Sequence, residues 1–154
     1  ERATRTPLII KPPKSSTKKV SNRPVSLLDL YPTLIKICGL PDNPLNEGQD
    51  LSPLLRKPNA QWEHAAITTY GPNNHAVKTE RYRYIRYEDG SEELYDHEND
   101  KNEWNNVANL NEYKLVKERL IGFLPKENAK WSVVSNYNGN PYFSELTKKA
   151  LDTF

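Results

Sequence analysis

Apolar and polar positions interleave most clearly between residues 73 and 96, NNHAVKTERYRYIRYEDGSEELYD. Residues 78–79 and 82–87 are rich in β-branched and aromatic side chains with polar residues between them, a pattern that predicts strands. Glu80-Arg81 is short enough to be the hairpin turn joining them. Asp89-Gly90 predicts a second turn, of type I′, which requires positive φ at both central residues. Residues 93–95 supply the returning strand, and residues 65–70 a strand entering the unit. The expectation is an antiparallel meander with Tyr82, Tyr84 and Tyr87 as large apolar bodies and Arg81, Arg83 and Arg86 beside them. It frames a loop at residues 71–75.

Helical spacing is clearest at residues 25–40, where Leu27, Leu30, Tyr31, Leu34 and Cys38 fall on one face. Ser26 and Asp29 are placed as a capping pair, and Gly39 sits where a left-handed residue ends a helix. Pro32 removes one hydrogen bond, so the first turn is distorted or the helix starts near Tyr31. Cys38 on the apolar face reads as a small core residue. Residues 113–124 predict a second helix, with Tyr113, Val116, Leu120 and Phe123 or Leu124 along one stripe and Pro125 at its end. Residues 6–10 form an apolar run stopped by Pro12-Pro13 and read as a buried strand. Residues 51–55 suit one short helical turn. The tail carries turn signals at Asn138-Gly139 and Asn140-Pro141, then a short helical pattern over 145–154.

Composition changes this picture in one respect. The 154 residues include no Met and 12 Pro, with 36% hydrophobic content and a mean hydropathy of −0.86. That is a thin core for an independent globule, and it predicts a segment of a longer chain that packs on missing neighbours. No apolar run approaches the length that spans a membrane. Cys38 is the only cysteine, so an internal disulfide and a thiolate metal cluster are both excluded. The net charge of +2 makes no case for nucleic acid. Charge is unevenly spread: residues 1–36 carry eight Lys/Arg against Glu1 and Asp29, and residues 88–103 carry eight acids against Lys101. Such blocks read as solvated or interacting surfaces.

The chemistry-bearing residues do not by themselves specify a reaction. His64, His75 and His97 are the only histidines, no serine sits in a Gly-x-Ser-x-Gly elbow, and no glycine loop cradles phosphate. Asp96, Glu98, Asp100 and Asn102 alternate as in a calcium loop, but Lys101 stands where the sharp turn needs glycine. Glu92 and Glu93 are adjacent in a strand and point to opposite faces, the wrong arrangement for acid–base partners. The Arg/Tyr meander reads as a surface sheet with Arg–Glu pairs, with a sulfate, phosphate or base as the alternative ligand reading.

Four blocks in order carry a resemblance: Ala3-Thr4-Arg5-Thr6-Pro7-Leu8-Ile9-Ile10; Val25-Ser26-Leu27-Leu28-Asp29-Leu30-Tyr31-Pro32-Thr33-Leu34 through Cys38-Gly39-Leu40-Pro41; Glu47-Gly48-Gln49-Asp50-Leu51 with Pro53-Leu54-Leu55; and His75-Ala76-Val77-Lys78-Thr79 through Glu93-Leu94-Tyr95-Asp96 to Glu103 and Asn106. From residue 1 to about 126 the chain resembles the C-terminal part of formylglycine-dependent sulfatases, especially bacterial ones similar to iduronate-2-sulfatase. The resemblance implies an α/β, alkaline-phosphatase-like fold: residues 1–60 end the large domain, 61–126 form a small antiparallel sheet packed by a helix, and 127–154 are an extension.

It also implies a calcium-dependent, periplasmic or secreted parent that hydrolyses sulfate esters, on a sulfated small molecule or glycan. The formylglycine nucleophile of such enzymes arises in a C/S-x-P-x-R motif. Cys38-Gly39-Leu40-Pro41 lacks its Pro and Arg. The acidic calcium ligands and sulfate-binding Lys and His also fall upstream, so the segment itself is expected to hold no catalytic residue and no metal. Its expected partners are the upstream catalytic part and the substrate, with neither nucleic acid nor membrane. Asp100-Lys101 replaces the usual Asp-Pro of these enzymes, which affects the turn there. Asn74 and His75, on the loop facing the cleft, are the expected substrate contacts, since amide and imidazole groups suit hydroxyl recognition; the alternative reading is that they satisfy the backbone groups of the turn. The competing expectation is a non-catalytic carbohydrate-binding or interaction module, using nine Tyr and three Trp as stacking faces.

Overall fold

Ile67, Val77, Tyr84 and Leu94 stand side by side on four neighbouring antiparallel strands, and the last three are wholly buried. The strands are β1 (Ala66–Thr69), β2 (His75–Lys78), β3 (Tyr82–Arg86) and β4 (Glu92–Asp96), paired in chain order as a meander. Because strand side chains alternate in direction, this apolar row fixes one face of the sheet inward. These details come from a computed structural model that describes residues 4–13 and 17–130. The expected tail turns and the 145–154 helix lie outside the described residues.

A helix covers the inward face. A 3-10 turn (Asn111–Tyr113) leads into α3 (Lys114–Ile121), and Leu120 and Leu124 join Val77, Tyr84, Leu94 and Ala108 in one core. Full burial of each such side chain is worth about 1.5–3 kcal/mol. Tyr82 and Tyr113 meet edge to face at 6.5 Å, at the margin of this core. The outer edge of β4 is not left open. Asn106 accepts from the Leu94 amide and donates to the Glu92 carbonyl, and the Val107 amide donates to the Leu94 carbonyl.

The earlier part of the chain is built around Asp29 and Thr33. A 3-10 turn (Leu27–Asp29) precedes α1 (Leu30–Cys38), with the Ser26/Asp29 capping box formed and Gly39 left-handed at φ 65°. Pro32 lies in the first turn of α1, where a missing amide costs least. Buried Asp29 also accepts from the Gln49 amide, and the Thr33 hydroxyl accepts from the Leu51 amide. Gly48 passes so close to Leu28 that a Cβ would overlap the Leu28 carbonyl. These contacts seat the 47–51 loop and the short α2 (Ser52–Arg56) against α1.

Several expectations are corrected. Residues 6–10 form no strand, and Ile9 is 90% exposed, because among the described residues no strand lies beside them. Cys38, expected in a core, is exposed, as are Leu27 (69%), Tyr31 and Leu34 (56%) of the same stripe, while Thr33 and Ile35 are buried. At the tip between β3 and β4 only Gly90 has positive φ (83°). Gly90 donates to the Tyr87 carbonyl and Tyr87 to the Ser91 carbonyl, a three-residue loop with a left-handed glycine rather than a type I′ turn.

Candidate functional site

One rung of the sheet differs from the apolar row beside it. Thr69, His75, Arg86 and Glu92 face one another across β1 to β4 on the inward side. Just beyond this rung lie the β1–β2 loop and the β3–β4 tip. Asn74, Tyr87, Glu88, Asp89 and Ser91 line a shallow depression of about 560 Å³ between them.

The loop is held by its own sequence. Gly71 and Asn73 both take positive φ (69° and 62°), a conformation that glycine and asparagine tolerate best. Tyr70 donates to the Asn74 carbonyl to close it. The Asn74 amide group donates to the Pro72 carbonyl at 3.0 Å, and its Oδ1 accepts from the Glu88 amide at 3.1 Å. Asn74 therefore ties the loop to the tip. It keeps one N–H and one lone pair free of these two bonds.

His75 lies beneath the loop. It is 3% exposed, with Nδ1 2.9 Å from the Thr69 hydroxyl and Nε2 2.6 Å from Asn128 Oδ1. Neither ring nitrogen is left for a ligand. Asn74 and His75, named together in the sequence, thus occupy different positions: Asn74 lies at the lip and His75 under it. Thr69 and Asn128 were not singled out there. Asn128 stands 53 residues from His75, and no local pattern marks the pairing.

The depression is rich in acceptors. Asp89 accepts from the hydroxyl and amide of Ser91, which hold its carboxyl below the ordinary value. Tyr87 and Tyr95 both donate to Glu93, and burial together with that bond pushes the Tyr95 hydroxyl up to about 12. Two of the three arginines of the meander are engaged elsewhere: Arg81 grips Asp96 through two bonds and also pairs with Glu98, and Arg83 pairs with Glu103. Asp96 also accepts from the Glu98 amide, and Asp100 from the amides of Asn102 and Asn105. The acids that alternate like a calcium loop are therefore used to fold the turn. Among the described residues no group of three or more His, Cys, Asp or Glu is arranged to hold a metal ion. Nor is any helix among them long and apolar enough to cross a membrane.

Residues 1–130 match the family model described as N-sulphoglucosamine sulphohydrolase, C-terminal. The chain is 46% identical over 145 residues to a sulfatase of Formosa agariphila, covering 94% of this chain and 29% of that protein. It is 29% identical over 137 residues to an arylsulfatase of Clostridium perfringens, covering 82% and 28%. Its fold is similar to that of a protein solved in complex with its substrate D-glucosamine-2-N,6-O-disulfate, with a TM-score of 0.52 and 24% identity over 62% of this chain and 22% of the other. It is also similar to the phosphonate monoester hydrolase of Agrobacterium radiobacter, with a TM-score of 0.50 and 24% identity over 62% and 24%. The chain spans less than a third of the length of these curated relatives.

Proposed function

Because this chain belongs to the N-sulphoglucosamine sulphohydrolase C-terminal family and has the alkaline-phosphatase-like fold of that region, we propose that it is the C-terminal portion of a sulfatase acting on a sulfated sugar or polysaccharide. The observation that carries the reading is the family match, continuous over residues 1–130. A free-standing sugar-stacking module is not favoured. Among the described residues Tyr31, Tyr70, Tyr87 and Trp104 are exposed, but they lie on α1, the β1–β2 loop, the β3–β4 tip and the acidic turn rather than on one face of a single element.

In this reading the reaction centre belongs to the upstream part of the parent chain, periplasmic or secreted, similar to iduronate-2-sulfatase-like enzymes. A formylglycine nucleophile and a calcium ion would lie there. The described residues of this chain do not fit a calcium site, since the candidate carboxylates of Asp96 and Asp100 already accept from Arg81 and from backbone amides. The upstream part also covers the exposed Leu27, Leu28, Tyr31 and Leu34 of the α1 region, large apolar side chains that lie outside the core formed by the described residues.

The contribution of this chain is to bind the part of the substrate that does not react. The acceptor-rich depression suits sugar hydroxyl or amine donors and repels a sulfate, so the ester points away from it, toward the upstream part. Asn74 supplies the contact and His75 fixes the loop from below. Remote contacts of this kind can be spent on lowering the barrier. The test is Asn74→Ala in the full-length parent, assayed on a sulfated glucosamine and on a small aryl sulfate. The reading expects kcat/KM to fall about tenfold on the sugar, as for a lost hydrogen bond, and to hold on the aryl sulfate. Equal values on both substrates would reject the contact.

A further inference from the structure

Asn128, beyond α3, reaches back to this loop with a single atom. Its Oδ1 accepts from the Asn73 amide at 3.1 Å and lies 2.6 Å from His75 Nε2. An amide oxygen cannot donate, so His75 must carry its proton on Nε2. In the neutral ring Nδ1 then accepts a hydrogen bond from the Thr69 hydroxyl at 2.9 Å. The result is a directed chain: Thr69 hydroxyl to His75 Nδ1, then His75 Nε2–H to Asn128. Asn73, the other donor to that oxygen, has a positive φ of 62°, a left-handed conformation that asparagine adopts more readily than other non-glycine residues.

We propose that Asn128 is a positioning residue for substrate binding: it locks the β1–β2 loop by fixing both the His75 tautomer and the left-handed turn at Asn73, and so presents Asn74 at the lip. This rests on the reading of Asn74 as the substrate contact. Its physical basis is separate. Leu120 and Leu124 anchor α3 in the core, so the segment that follows is delivered to the start of β2 as part of the folded unit. A loop held in advance does not have to be ordered by the sugar, and that lowers KM rather than raising kcat.

The experiment compares Asn128→Ala and Asn128→Asp with the unaltered full-length parent. Ala removes the acceptor for both N–H groups, whereas Asp keeps an oxygen in place for each. Asn128→Ala is expected to raise KM for a sulfated glucosamine about tenfold with kcat unchanged, to leave a small aryl sulfate unaffected, and to speed hydrogen exchange at the amides of residues 73–75. Asn128→Asp is expected to restore both the KM and the slow exchange. Unchanged exchange in Asn128→Ala, or an Asp variant as impaired as the Ala variant, would overturn the positioning role. Asn74→Ala run in parallel separates the two claims. If it raises KM while Asn128→Ala does not, this inference alone fails. If Asn74→Ala is silent, the substrate-contact reading fails and takes the functional role of Asn128 with it.

Discussion

Lys117 of α3 donates to the Glu92 carboxylate of β4 at 2.7 Å, and the same carboxylate accepts the hydroxyl of buried Tyr84 on β3. Helix and sheet are thereby joined by a polar contact at the margin of an apolar core. Burial disfavours the Glu92 charge, but the hydrogen bonds from Lys117 and Tyr84, with the charges of Lys117 and Arg86, outweigh it and lower its pKa. A carboxylate lowered by folding stabilises the protein above its unfolded pKa of about 4.3. That contribution is lost as pH falls through the folded value. Glu92→Gln is expected to cost about 1–3 kcal/mol at neutral pH, with the deficit shrinking as pH drops below about 4. Urea unfolding of both proteins at neutral and acid pH checks this, and a deficit independent of pH would contradict it.

Gly48→Ala is expected to destabilise the protein by about 1–3 kcal/mol or more, the usual cost of overpacking. The added Cβ would overlap the Leu28 carbonyl, which is backbone and cannot rotate away, and it would lie 2.9 Å from the Asp29 amide. Thermal unfolding is the measurement. A wild-type melting temperature would mean that the 47–51 loop does not approach α1 so closely.

Leu34 tests the docking surface. It is 56% exposed in this chain, so Leu34→Ala should cost the isolated chain under about 0.5 kcal/mol, as at other surface positions. In the full-length parent the same substitution should cost about 2–5 kcal/mol, as for a buried leucine. Denaturant unfolding of both proteins distinguishes them, and a small loss in both would leave the α1 face uncovered.

The sheet was legible in the sequence because its information is local. Alternation marks the strands and puts Tyr84 in the core, although Tyr87, named with it, is exposed; Asp89-Gly90 marks the tip, although Asp89 uses its carboxylate on Ser91 instead of taking positive φ. The Ser26/Asp29 cap was legible for the same reason, since four consecutive residues contain it. The α1 packing was not. Its apolar stripe at Leu27, Tyr31 and Leu34 marks a surface to be covered, and periodicity does not say whether the cover lies in this chain. The loop at Asn74 was legible as polar residues between strands. The burial of His75 was not, because it depends on Asn128, which meets it only in the folded chain.

The central claim, that this chain is the C-terminal portion of a sulfatase, is tested most directly by inorganic sulfate release from a sulfated glucosamine, measured for the full-length parent and for residues 1–154 alone. The account predicts release by the parent and none by the isolated chain, which lacks the C/S-x-P-x-R nucleophile motif. A parent that releases no sulfate from sulfated sugars or aryl sulfates, or an isolated chain that turns them over, would contradict it.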